Sequence, residues 1–273
     1  MKAVRRILTG VVVIAVLAYG GVLVYFYVFQ RDLQYERAGD ITELSATTLS
    51  GAAAVSIPTG DGQVLAGWYQ APQAGKPLIL YYRGNSGSFT HEHERYEAFA
   101  GEGYGFLAFD YRGFPGSPGE LTEEHLLADA LAAFDWAMGK GVPIVIWGRS
   151  LGSGAATYAA SRREADALYL ETPFLNFARI GSDHYPYLPV GLLLFDQYPQ
   201  EQWIRDVTEP VFVAHGTGDK TIDVYQGKAL YELAPNKAGI WIEPDAGHSD
   251  LWARGEWERA KAFFVEAEAA KGR

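Results

Sequence analysis

Residues Pro143 to Gly154 read PIVIWGRSLGSG, and this stretch decides the fold. Ile144, Val145, Ile146 and Trp147 form a short β-rich apolar run of the length expected for a buried strand. Gly148-Arg149-Ser150-Leu151-Gly152 breaks it, and an Ala-rich, helix-favouring segment follows. G-x-S-x-G between strand and helix is a nucleophile elbow. Its backbone is strained and closely packed, and a Cβ at either glycine would clash. The turn lifts Ser150 Oγ above the sheet edge and aims the Leu151 amide at a carbonyl oxygen that gains charge. The bland alternative is an ordinary strand–turn–helix corner. With 31 glycines in the chain, chance alone gives the pentapeptide in about one such chain in seven, so the context carries the reading.

Working outward, Thr59-Gly60-Asp61-Gly62 joins strand-like runs at 53–58 and 63–69, which predicts an N-terminal hairpin. From Leu78 onward strands and helices alternate. Strands are expected at 78–82, 105–109, 144–147, 167–170, 211–214 and 239–242. Helices are expected at 91–101, 122–138, from the elbow to about Arg163, 223–233 and 255–270. In the second of these, Leu127, Ala130, Leu131 and Phe134 share a face and Thr122 is a candidate cap. Such alternation predicts an α/β fold with a mostly parallel, doubly wound sheet of about eight strands. Residues 176–203 break the alternation and are rich in aromatics and prolines. They are read as a small helical cap, with Phe177, Tyr185, Tyr187, Leu193 and Phe195 walling an acyl pocket. The alternative is a helix pair packed into the core.

Residues Ile7 to Phe29 carry no charge. At about 1.5 Å per residue this run spans a hydrocarbon core of about 30 Å. It is too long for a cleavable signal and ends in YFYVFQRD with no small-residue cleavage site. Lys2, Arg5 and Arg6 precede it, so the N-terminus is expected in the cytoplasm and the rest outside, in the periplasm of a bacterium. The chain divides into an anchor at 1–30, a connector at 31–50 and one large domain at 51–273 that holds the cap.

Formal net charge is −10 and no basic cluster interleaves with aromatics, which argues against nucleic acid as a partner. There is no cysteine, which excludes disulfides, thiolate catalysis and Cys-ligated zinc. His91-Glu92-His93-Glu94 has the wrong helical spacing for a shared metal site and reads as a solvated face. No metal or cofactor is expected.

Ser150 needs a base, and the base needs a carboxylate to orient it. In open α/β sheets such groups gather beyond the carboxyl ends of strands. Asp219 follows the strand at 211–214 and His248 follows the strand at 239–242. Asp110 also ends a strand but precedes the serine, and His215 is read as a packing residue.

The pieces RGNSGS at 83–88, DYRGFPGSPG at 110–119, GRSLGSG at 148–154, ETPF at 171–174, HGTGDKTI at 215–222 and AGHSDL at 246–251 occur in the order of a known family. By them the chain resembles the α/β-hydrolases, and within that superfamily the Bem46-like and serine aminopeptidase S33-type serine hydrolases. The resemblance runs from about Ala53 to the C-terminus. It implies an α/β-hydrolase fold, Ser150, Asp219 and His248 as triad, and the Leu151 and Asn85 amides as oxyanion hole. Arg83 stands where the family usually has His, and Asp223 where it often has Pro, which makes Asp223 a minor competitor for the acid role. The implied activity is cleavage of a small or lipid-like acyl ester, thioester or amide. An acyltransferase using the same triad, and a non-catalytic anchored binding module, are the alternatives.

Overall fold

Strands that are apolar at every position, rather than at alternate ones, must be covered on both faces. Four segments of this kind, two of them ending in a charged residue, form the middle of the sheet: β3 (Leu78–Tyr82), β4 (Gly105–Phe109), β5 (Ile144–Arg149) and β6 (Ala167–Glu171). The computed structural model describes residues 1–272. With β1 (Ala53–Pro58), β2 (Val64–Gln70), β7 (Val211–Gly216) and β8 (Lys237–Glu243) they make an eight-stranded sheet in the order β1-β2-β4-β3-β5-β6-β7-β8. The β1–β2 hairpin and its pairing with β4 are antiparallel, and all other pairs are parallel.

Period-two alternation divides the central strands between two cores. Leu78, Leu80, Tyr82, Ile144 and Ile146 face one, packed with α3 (Glu123–Met138), α4 (Leu151–Ala160) and α8 (Val224–Leu233). Ile79, Tyr81, Val145 and Trp147 face the other, packed with α2 (His93–Gly101) and α9 (Glu256–Ala270). On α3, Leu127, Ala130 and Phe134 are buried as the pattern predicts, Leu131 is half-buried, and the Thr122 hydroxyl accepts from the His125 amide at 3.1 Å.

The site is placed by topology. After β3 the chain winds outward to β4, then crosses back past β3 to β5. The winding therefore reverses between β3 and β5, and the loops beyond their carboxyl ends open into one crevice. Residues 83–88 follow β3, and Ser150 follows β5.

Residues 176–203 hold three short helices, α5 (Phe177–His184), α6 (Val190–Leu193) and α7 (Gln200–Trp203). The first helix, α1 (Lys2–Gln34), is long and apolar enough to cross a membrane, and none of its apolar window is buried. It continues past Phe29 because no glycine or proline interrupts the chain there. Residues 31–36, at the start of the expected connector, are bound to the domain. Arg31 pairs with Asp196 at 2.9 Å, Tyr35 is buried, and Glu36 forms a parallel bridge with Ser86.

The elbow depends on Gly152. A Cβ there would overlap the Tyr82 and Arg83 carbonyl oxygens at the end of β3. Gly152→Ala should therefore cost about 3 kcal/mol, as overpacking against rigid backbone does. Urea unfolding of the variant checks this.

Candidate active site

Ser150 has φ 51° and ψ −118°, a conformation an L-residue adopts only when its surroundings enforce it. The Ser150 amide donates to the Glu171 carbonyl at 2.9 Å, and α4 begins at the next residue. As the first residue of that helix, Leu151 has an amide with no intrahelical acceptor, so it is free to face a ligand.

The three residues taken from separate loops are brought together. His248 Nε2 lies 2.9 Å from Ser150 Oγ, and His248 Nδ1 lies 2.7 Å from Asp219 Oδ2. Asp219 is buried, and its Oδ1 accepts the Thr221 and Ile222 amides at 2.8 and 2.9 Å. Burial pushes the Asp219 carboxyl upward. Hydrogen bonds from His215 and His248 outweigh burial and hold it well below the usual carboxylate range.

His215 is a second, buried neighbour of the acid. Its Nε2 lies 2.9 Å from the Ile222 carbonyl and 3.2 Å from Asp219 Oδ2. A carbonyl only accepts, so Nε2 carries the proton, while Nδ1 is buried without a partner. Through Nε2 the ring orients the carboxylate. Asp223 takes no part: its side chain caps α8 by accepting from the Tyr225 amide at 3.0 Å.

The loop after β3 is shaped by Arg83, which is fully buried. Its Nε lies 2.6 Å from Asp110 Oδ1, its guanidinium donates to the Gly84 and Ser86 carbonyls at 2.8 and 3.2 Å and to that of Gly87, and it stacks on Phe114. Arg83 thus folds its own loop around a fixed charge. Asp110 has the structural role expected, and it also accepts the Ser88 hydroxyl and the Phe89 amide. The Asn85 side chain donates to the Gln34 carbonyl at 2.8 Å, so the end of α1 fixes the residue whose amide is the second candidate oxyanion donor.

Beneath the elbow lies an ion cluster that no motif assigned. Glu171 is fully buried and accepts from Arg95, Arg149 and the Trp147 ring at 2.8–3.0 Å. Burial opposes its charge, but the two guanidiniums hold the carboxyl low. Arg149 also donates to Ser249 at 2.9 Å, which ties the elbow to the loop bearing His248. The signal was present in the sequence, since Arg149 and Glu171 are charges ending apolar strands, and the two pair across β5 and β6. Glu92, read as part of a solvated face, is half-buried instead. It accepts from the Tyr81 hydroxyl and lies 3.5 Å from Arg149.

A cavity of about 640 Å³ opens over Ser150 and His248. Of the five residues named for the pocket, Phe177, Tyr185 and Leu193 line it, and Tyr187 and Phe195 do not. Tyr187 is 86% exposed, and Phe195 packs against Tyr27 of α1, 4.9 Å between ring centres. Their place in the wall is taken by α1 itself, through Phe26, Gln30, Leu33 and Gln34. Sequence patterns could not reveal this, because about 150 residues separate α1 from the cap.

No family model matches the chain. The uncharacterized protein Rv2307c of Mycobacterium tuberculosis H37Rv is 35% identical over 246 residues, 88% of each chain. The lysophosphatidylserine lipase ABHD12 of Rattus norvegicus is 33% identical over 213 residues, which are 68% of this chain and 54% of that one. The present chain thus spans about half the length of that lipase. Among solved structures, the Pyrococcus furiosus esterase Pf2001 matches with a TM-score of 0.70 at 23% identity, covering 85% of this chain and 98% of its own. That last likeness is one of fold.

Two outcomes follow from this geometry. Arg83→Met strands the buried Asp110 charge and should destabilise the protein by about 3–5 kcal/mol in urea unfolding. A depressed carboxyl contributes stability above its unfolded pKa of about 3.9, and that stability is lost as the pH falls below it. The stability gap between wild type and Asp219→Asn should therefore be widest near neutral pH and shrink on acidification; a constant gap would mean the Asp219 charge is not stabilised by its partners.

Proposed function

The chain belongs to the α/β-hydrolase superfamily, and from that membership we propose a membrane-anchored serine hydrolase that cleaves carboxylic esters through Ser150, His248 and Asp219. The observation that carries the proposal is the unbroken relay of 2.9 and 2.7 Å from Ser150 through both imidazole nitrogens to a buried carboxylate. The esterase and lipase named among its relatives support the same class.

Asp219 accepts from His248 Nδ1–H, which leaves Nε2 unprotonated and facing the Ser150 hydroxyl. Ser150 Oγ attacks the ester carbonyl as Nε2 takes its proton. The oxyanion forms against the Leu151 and Asn85 amides, and one such donor is typically worth about 3 kcal/mol in the transition state. His248 then gives its proton to the leaving alkoxide, and an acyl group remains on Ser150. Water, deprotonated by the same imidazole, releases the acid and restores the serine. The acyl portion lies in the apolar cavity, between Phe177 and Leu193 of the cap and Phe26 and Leu33 of α1. The uncharged length of α1 supports its role as an anchor, and Lys2, Arg5 and Arg6 favour a cytoplasmic N-terminus with the domain outside.

The full-length protein in detergent should be labelled by a fluorophosphonate probe, and Ser150→Ala and His248→Ala should not. Asp219→Asn should stay folded and hydrolyse p-nitrophenyl esters with kcat lower by about 10⁴. Absence of labelling in folded wild type would sink the proposal.

A further inference from the structure

Residues 185–195 read YPYLPVGLLLF, eleven positions without a charge. In the folded chain they form the tip of the cap, and Tyr185, Tyr187, Leu192 and Phe195 are 50%, 86%, 87% and 51% exposed. A contiguous apolar surface of this kind is unusual on a domain bathed in water. The stretch also runs alongside α1 in a fixed register. Asp196 pairs with Arg31, Phe195 and Leu193 bond Gln30 through their backbones, Tyr185 packs on Phe26, and the Tyr187 carbonyl accepts the Tyr19 hydroxyl at 2.7 Å.

From Arg31 to Tyr19 is twelve helical residues, about 18 Å along the axis. With Arg31 and Asp196 at the headgroups, a layer of about 6 Å, the tip at Tyr187 lies about 12 Å into a leaflet whose hydrocarbon is about 15 Å thick. Irregular backbone survives at that depth only if its polar groups are satisfied. Here most of them are provided for. Pro186 and Pro189 have no N–H, and the amides of residues 185, 188, 190, 192 and 194 donate to carbonyls within the same region. The Phe195 amide goes to Gln30 Oε1, and the Leu193 and Tyr187 carbonyls are met by Gln30 and Tyr19, two polar side chains of α1.

We infer that residues 185–195 are immersed in the outer leaflet of the bilayer, and that the acyl chain of a membrane-resident ester reaches Ser150 from that leaflet without crossing water. The second half rests on the proposed hydrolase activity, and the first does not. The two segments also wall the cavity, through Phe26 of α1 and Tyr185, Leu188 and Leu193 of the tip, with Leu33 of α1 beyond Arg31 on the domain side. Gln30, Gln34 and Asn85 line it together with Ser150, and Gln34, whose carbonyl accepts from Asn85, lies beyond Arg31 on the helix. An ester at the interface therefore meets the serine while its chain stays along α1.

The chain has no cysteine, so one introduced cysteine is the sole labelling site. Full-length Tyr187→Cys carrying an NBD fluorophore is reconstituted in phosphatidylcholine–phosphatidylglycerol vesicles. Its emission should be strongly quenched by lipids with a nitroxide deep on the acyl chain, whereas the same label on Glu164→Cys should not respond. Equal, weak quenching at both positions overturns the immersion. In the same vesicles Leu192→Glu, which changes a residue outside the cavity, should lower hydrolysis of an embedded long-chain monoacyl ester at least tenfold. Its hydrolysis of water-soluble p-nitrophenyl butyrate should be unchanged. Unchanged turnover of both esters, or an equal fall in both, overturns entry from the leaflet. Deep quenching at Tyr187→Cys in a wild type that hydrolyses neither ester would leave the immersion standing and remove the hydrolase reading instead.

Discussion

The approach of α4 to the carboxyl end of β3 is the constraint on which the rest depends. The Tyr82 and Arg83 carbonyls lie where a Cβ of residue 152 would be, and Gly148 is similarly pressed by Ser153 and Ala156. Only at that separation can Ser150 turn from strand to helix with φ at 51°. The strain is held by two fully packed cores and by the Ser150–Glu171 backbone bond. The same closeness sets the start of α4 beside the loop that follows β3. Topology alone would bring the two loops to one crevice, but the glycines bring them into contact.

Once the elbow is fixed, buried charge fixes what surrounds it. Arg83 and Asp110 form a pair with no exposed atoms, and the loop backbone folds around the guanidinium. Glu171 gathers Arg95, Arg149 and Trp147 below the serine, and Arg149 reaches on to Ser249. Buried pairs of this sort contribute little net stability, yet breaking one is costly, which makes them effective at enforcing a single geometry. His215 acts in the same manner on Asp219, as a buried neighbour that shares the carboxylate with His248.

The helix that would otherwise be only a tether is part of the site. Its last turn and the residues after it hold Asn85 and Ser86, the hydroxyl of Tyr35, which follows it, lies 2.7 Å from that of Tyr198, and its side chains close the cavity. Helix, cap and oxyanion loop therefore form one continuous set of contacts. A change in how α1 sits would be felt at the Asn85 amide.

Much of this was legible in the sequence, because the signals are local. Apolar runs and helical periods gave the sheet and both cores, the pentapeptide at 148–152 gave the elbow, and a run of 23 uncharged residues gave the long helix. Asp219 and His248 could be named because each follows a strand, and strand ends are where an open α/β sheet collects its working groups. What the tertiary structure alone decided are contacts between distant segments: α1 as a wall of the cavity, Tyr187 and Phe195 turned outward beside it, Arg83 anchored on Asp110, and Glu92 drawn into the Glu171 cluster. Periodicity tells which face of an element is apolar, but not which distant element will cover it. The cap shows this most plainly, since the direction of its aromatics is set by a helix more than 150 residues earlier in the chain.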